Sequence, residues 1–238
     1  MSGHSHWAGI KHKKAAADAK RANIFTKVAR LVTLAAREGG GDPATNFKLR
    51  LAIDQARSVN MPNVNIERAI KRGTGELKDT AAIEEVIYEA LAPGNIAMLI
   101  KTATDNKNRT LNEIRNIIEK SGGKMVPADS FNHLFKQVGV IYITPKTRTA
   151  SEVELEAIDA GALDTSFQGE ILQVITEVKD LKKIKENLEA KGIEIDSAGL
   201  VFIPLSSLEI DAATKIDYEK LLEKLDELDD VQEIYDNL

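Results

Sequence analysis

The apolar positions in the first third of the chain recur with a helical period. From Ile24 they run Ile24, Val28, Leu31, Val32 and Ala35, one stripe of a 3.6-residue repeat. Lys27, Arg30 and Arg37 follow at steps of three and seven and share a flank of that helix, which Leu34 makes mixed. Gly39–Gly41 stop it. Asp42 then supplies an N-cap, with Pro43 at the first helical position, for a second helix carrying Phe47, Leu51, Ala52, Ala56 and Val59. That helix ends before Met61-Pro62, and Asn63 caps a short third one, Val64 to Arg72, closed by Gly73. Three helices on short links predict a small bundle.

Beyond residue 76 the pattern changes to strands. Ala82–Leu91 and Ile96–Ala103 flank Pro93-Gly94-Asn95, a hairpin signal. Thr110-x-x-Glu113 reads as a capping box for a helix with Leu111, Ile114, Ile117 and Ile118 apolar, ended by Gly122-Gly123. A strand is expected near Phe131–Phe135. From Val138 the elements are strand (to Thr144), helix (Ser151–Gly161, boxed by Ser151-x-x-Glu154), strand (Leu163–Phe167) and strand (Glu170–Glu177). A helix (Leu181–Lys191, capped by Asp180) and a strand (Ile193–Ile203) complete the set. The order β-α-β-β-α-β is a ferredoxin-like split unit. The last stretch, a strand around Phe202–Leu208, helix Tyr218–Leu228 and strand Val231–Tyr235, rejoins the first hairpin. The expected fold class is α+β: an N-terminal three-helix module plus two small α/β domains, one ferredoxin-like (βαββαβ). The boundaries are 1–76, then 77–136 with 204–238 as a discontinuous middle domain, and 137–203 as the inserted domain.

Charge sharpens this division. The chain of 238 residues is acidic, at a formal −5. Residues 1–73 nevertheless hold 14 Lys and Arg against 5 Asp and Glu, a net of +9, and residues 74–238 hold 18 against 32, a net of −14. Such asymmetry is the footprint of a polyanion-binding module on an acidic body. Lys11, Lys13 and Lys14 stand where a helix begins, and cations there oppose the helix dipole, so helix stability does not explain them. Oriented ammonium and guanidinium groups are what a phosphate backbone attracts. The candidate nucleic-acid-binding residues are therefore Lys11, His12, Lys13, Lys14, Lys20, Arg21, Lys27, Arg30 and Arg37. A second rank holds Trp7, which could stack on a base or pack on the bundle, Lys71 and Arg72 in a last helical turn, and Asn106 and Arg109 in an Asx-rich loop before a helix.

Other chemistry finds little support. Zero cysteines exclude disulfides, thiolate metal sites and Cys nucleophiles. His4, His6 and His12 lack acidic or Cys neighbours in sequence, and His133 stands in no nucleophile motif, so no metal, cofactor or catalytic residue is expected. Neither Gly39–Gly41 nor Gly73-Thr74-Gly75 ends in the Lys-Ser/Thr of a phosphate loop. The carboxylates of the last helix and its following turn, among them Asp226 and Asp230, read as solvated surface. No stretch approaches the ~20 apolar residues of a membrane span and no signal-peptide core opens the chain, so the expected location is the cytoplasm.

Three strings carry a resemblance. GHSHWAGIKHKKAAADAKRANIFTK (Gly3 to Lys27) with GGGDPATNFKLRLAIDQARSVNMPNVNIERAIKRGTGE after it, TDNKNRTLNEIR (Thr104 to Arg115) and LDDVQEIYDNL (Leu228 to Leu238) resemble the YebC/PmpR family of probable transcriptional regulatory proteins. The match runs through residues 3–76 nearly without gaps. This chain departs from the family at His6, where a Lys is usual, and at KMVPADSFNHLF, where a Gly-rich turn is usual. The resemblance implies a cytoplasmic, three-domain, non-enzymatic nucleic-acid-binding protein. Some members are described as DNA-binding regulators, and others, including a mitochondrial translational activator, as translation factors at the ribosome. Two functions are thus expected: a DNA-binding transcriptional regulator acting through the basic module, or a translation factor associated with ribosomal or transfer RNA. In both, the acidic domains are free to face a protein partner. No helix-turn-helix with base-reading side chains is evident in the first 76 residues, so specificity by that route is not expected.

Overall fold

The computed structural model describes residues 18–77, 81–146 and 148–238, with side chains from residue 22 onward. The fold is α+β. Helices α1 (Asp18–Gly39), α2 (Phe47–Ser58) and α3 (Asn63–Gly73) come first. They pack through one apolar stripe each, Val28, Val32 and Ala36 from α1, Leu49, Ile53 and Ala56 from α2, Ile66 and Ala69 from α3. Each fully buried Val or Leu contributes about 1.5–3 kcal/mol relative to exposure. Both α2 and α3 lie on α1 rather than on each other. Gly73 lets α3 close on it: a Cβ there would sit 2.3 Å from the Thr33 carbonyl oxygen. The Thr33 hydroxyl donates across the same contact to Ala69 O at 3.1 Å.

The chain then enters a four-stranded sheet. Strands β1 (Glu84–Ala92) and β2 (Ile96–Thr104) form an antiparallel hairpin around the 3-10 turn Pro93–Asn95, where Gly94 takes a left-handed φ of 81°. Helix α4 (Lys107–Lys120) and the short β3 (Lys124–Val126) follow. After a long excursion, helix α7 (Ala212–Asp226) and β8 (Val231–Asp236) complete the sheet in the order β3-β1-β2-β8. Ile114 and Ile118 of α4 and Tyr218, Leu221, Leu222 and Leu225 of α7 pack on Ala90, Met98, Ile100 and Ile234. This core is a separate cluster from that of the three helices.

The excursion is a second compact unit, Gln137–Phe202. Its elements are β4 (Phe135–Ile143), α5 (Ala150–Asp159), β5 (Asp164–Gln168), β6 (Ile171–Thr176), α6 (Leu181–Ala190) and β7 (Ser197–Pro204), in the sheet order β5-β6-β4-β7. That is the ferredoxin-like βαββαβ arrangement. The first unit comprises the described residues up to Lys136 together with Ile203–Leu238.

Several local expectations are corrected. Asp42 does not cap α2. Its carboxylate accepts from Ala44 N at 2.9 Å in a local turn, and the cap is Asn46, whose Oδ1 accepts from Leu49 N at 3.0 Å. The Asn46 Nδ2 donates back to Ala35 O and Gly40 O, tying the end of α1 to the start of α2. Asn63 lies inside α3, which begins after Pro62 without a side-chain cap. Helix α4 is capped by Asn106 rather than Thr110, and the capping box of α5 is Thr149 with Glu152, two residues before the expected pair. Asp180 precedes α6 in αR geometry and makes no cap bond. The strand expected near Phe131–Phe135 is displaced to Lys124–Val126 and to β4. The buried Glu89 carboxylate accepts from Asp129 N at 2.8 Å and Phe131 N at 2.9 Å, which holds that stretch in turns.

Candidate nucleic-acid interface

Of the first-rank candidates, Lys11, His12, Lys13 and Lys14 lie outside the described residues, as does Trp7. Lys20 and Arg21 are on the first turn and a half of α1 as described. Of the remaining candidates Lys27 and Arg30 turn inward, whereas Arg37, with 40% side-chain exposure, stays at the surface. Lys27 keeps 3% of its side-chain exposure, and its Nζ reaches Asp226 Oδ1 at 2.7 Å and Asp226 O at 2.5 Å. Arg30 Nη1 reaches Asp230 Oδ1 at 2.7 Å and donates to Ala103 O at 3.1 Å. Arg37 donates to Ile83 O at 2.5 Å, with Glu84 at 3.8 Å. Arg72 of α3 lies 3.8 Å from Asp105, and Asn23 donates to Glu227 O at 3.2 Å. One flank of α1 and the end of α3 thus form a polar seam with the sheet.

Asp230 is the hub of that seam. Its side chain is 4% exposed and receives Thr110 Oγ1 at 2.5 Å, Arg109 Nη2 at 2.6 Å, Arg30 Nη1 at 2.7 Å and Thr104 Oγ1 at 3.0 Å. Burial pushes its pKa up, but the hydrogen bonds from Thr110 and Arg109, the Arg30 charge and the Thr104 hydroxyl outweigh it and hold the carboxyl below the usual range. Arg109 also pairs with Asp105 at 3.0 Å, while Asn106 caps α4. Arg30 lies in residues 3–76, Thr104, Arg109 and Thr110 in the second string, and Asp230 in the third. All three stretches that carry the resemblance meet at one carboxylate. The expectation of solvated surface is therefore corrected for Asp230, which is buried, while Asp226 keeps 32% side-chain exposure and is half-buried against Lys27. No local signal marks either acid, because the cations they answer lie 121 and 199 residues away along the chain.

The outer side of the bundle differs. Lys71 is exposed, and so are Arg57 and Arg68, two cations the sequence reading did not single out. None of the three makes an ion pair among the described residues. On α3, Val64, Arg68 and Lys71 follow at steps of four and three and so share a face, opposite the buried Ile66 and Ala69. Lys48, exposed on α2, pairs with Glu38 at 2.8 Å. Among the described residues no three His, Asp or Glu side chains gather as a metal site, and no helix is long and apolar enough to cross a membrane.

Comparison with known proteins matches this architecture across the chain. The family model described as the TACO1/YebC protein N-terminal domain matches residues 5–76, and the one described as the TACO1/YebC second and third domain matches residues 83–238. A probable transcriptional regulatory protein of Thermoanaerobacter pseudethanolicus is 47% identical, over 100% of this chain and 97% of its own length. One from Persephonella marina is 48% identical, over 100% and 95%. The crystal structure of a conserved hypothetical protein from Aquifex aeolicus superposes with a TM-score of 0.89 at 43% identity, covering 98% of this chain and 96% of that one. With family models matching residues 5–76 and 83–238, the chain belongs to the TACO1/YebC family, whose curated relatives are named probable transcriptional regulatory proteins.

Proposed function

We propose that this protein is a non-enzymatic regulator that binds duplex DNA through its helical domain, with Lys11, Lys13, Lys14, Lys20 and Arg21 on the phosphates. The observation that carries the proposal is the charge split, +9 over residues 1–73 against −14 over the rest. The seam refines it. Lys27, Arg30 and Arg72 answer internal carboxylates, so the phosphate-binding set moves toward the N-terminal run and the outer face of the bundle. The names of the relatives favour DNA as the polyanion.

The test is fluorescence anisotropy on duplex DNA over roughly 50 to 200 mM salt. Contact with five phosphates gives a log–log slope of about −4 to −5. The charge reversal Lys13→Glu/Lys14→Glu/Lys20→Glu is expected to abolish binding with the thermal melt unchanged. Lys27 stays out of that set because Lys27→Glu would set a carboxylate against Asp226. Full affinity with an unchanged slope in the triple variant would sink the proposal. In-cell crosslinking and sequencing decides the target: discrete promoter DNA supports it, whereas ribosomal or transfer RNA alone replaces regulation of transcription by action in translation.

A further inference from the structure

We propose that the outward face of α3 is the element that reads base sequence, with Asn65 and Arg68 as the reading side chains, Val64 as an apolar contact and Lys71 as a phosphate clamp. The inference rests on the DNA-binding reading above and assigns its specificity, which the basic run cannot supply because a phosphate carries no sequence.

The placement argues for it. Helix α3 is fixed on its inner side by Ile66 and Ala69, by the Thr33 bond to Ala69 O, and by the close approach at Gly73. Its outer side carries Val64, Arg68 and Lys71 along one line, with Asn65 beside them. Val64 is 74% exposed, the most exposed large apolar side chain among the described residues. Among the described residues Arg68 and Lys71, like Arg57 on α2, remain without ion pairs, whereas Lys27, Arg30, Arg37, Lys48 and Arg72 have carboxylate neighbours. The helix is a cylinder of about 10–12 Å, the width of the major groove.

The side chains suit that groove. An Asn amide pairs in two-point fashion with adenine N6 and N7, an Arg guanidinium with guanine O6 and N7, and an aliphatic side chain meets the thymine methyl. Glu67 is the one acid exposed on the helix. A single valine amid cations lacks the buried apolar anchor cluster that a protein partner would need. Charge complementarity therefore selects DNA as the occupant. The helix is presented without a helix-turn-helix, since α2 packs on α1 instead.

The experiment selects bound sequences from a random-sequence duplex library with the full chain, then measures affinity for the enriched and a scrambled duplex. Wild type is expected to prefer the enriched duplex by ~10-fold or more. Asn65→Ala/Arg68→Ala is expected to reduce that preference to within about 2-fold while affinity for the scrambled duplex holds, the basic run being intact. Lys71→Ala is expected to weaken both duplexes equally and shallow the salt slope by about 1. The same enriched sequence and preference in the double variant, or binding by wild type with no preference at all, would overturn the assignment and leave the DNA-binding reading standing. Absence of duplex binding by wild type would remove both.

Discussion

Two sets of cations in the same small domain behave oppositely. Lys27 and Arg30 project from α1 into the sheet domain and end on Asp226 and Asp230, at 3% and 16% side-chain exposure. Arg68 and Lys71 project from α3 into solvent and end on no carboxylate among the described residues. In the sequence the sets look alike, basic residues spaced along amphipathic helices. The difference lies in what the topology brings opposite them. Asp226 closes α7 and Asp230 stands just before β8, and the pairing of β8 with β2 brings Asp230 to Arg30. A basic face is thus left open to solvent or becomes a joint within the protein depending on where the acids of a distant segment are delivered.

Breaking the joint is expected to have the largest effect. Asp230→Ala leaves the Arg30 and Arg109 charges and two threonine hydroxyls without their common acceptor, and should cost about 3–5 kcal/mol in urea unfolding. The acid limb of stability tests the same group. Its folded pKa lies below the unfolded value, so its contribution is present above about pH 3.9 and is lost as pH falls through the lower folded value. In Asp230→Ala that part of the acid slope should vanish, and an unchanged slope would mean Asp230 carries no linkage. Lys27→Ala removes charged hydrogen bonds and should cost about 1.5–3 kcal/mol, with DNA affinity of the folded protein retained. A large loss of affinity at full stability would instead return Lys27 to the binding set.

Smaller changes sharpen the contrast. Gly73→Ala forces a Cβ against the Thr33 carbonyl, so α3 must shift off α1, at about 1–3 kcal/mol in thermal melts. The outer cations should scarcely register in stability: Arg68→Ala and Lys71→Ala are expected within about 0.5 kcal/mol of wild type. A cost of 2 kcal/mol or so at either would show that the outer face is also a joint.

Much of the architecture was legible in the sequence, and the reason is periodicity. Stripes such as Ile24, Val28 and Val32, or Tyr218, Leu221, Leu222 and Leu225, encode their helices locally, and Pro93-Gly94-Asn95 marks its hairpin without help. Caps were legible only in kind. Asn46 wins over Asp42 because it also satisfies two carbonyls at the end of α1, and Thr149 wins over Ser151 because Glu152 bonds back to it. The first advantage cannot be counted along the chain, whereas the second leaves two boxes of equal spacing, Thr149-x-x-Glu152 and Ser151-x-x-Glu154, between which spacing does not choose. The seam was the least legible part. Asp230 looks like any acid beside a strand until β8 is paired, and Arg109 in the Asx-rich loop before α4 shows itself serving the fold only once Asp230 is in place, whereas Asn106 caps that helix locally. Local signals specify elements; the pairing of charges across 121 or 199 residues is a property of the closed topology.

That closure has a temporal side. Arg109 and Asp230 lie 121 residues apart, with the whole inserted unit between them. At about 5–20 residues per second, a ribosome releases the arginine roughly 6–24 s before the aspartate exists. Throughout that interval Lys27 and Arg30 of α1 lack their carboxylates, Arg109 has only Asp105, and β2 presents an unpaired edge where β8 belongs. The inserted unit, contiguous from Gln137 to Phe202, can fold while the flanking one waits. Assembly of the first unit is therefore ordered by synthesis: it begins with the three helices and finishes only when the last strand arrives.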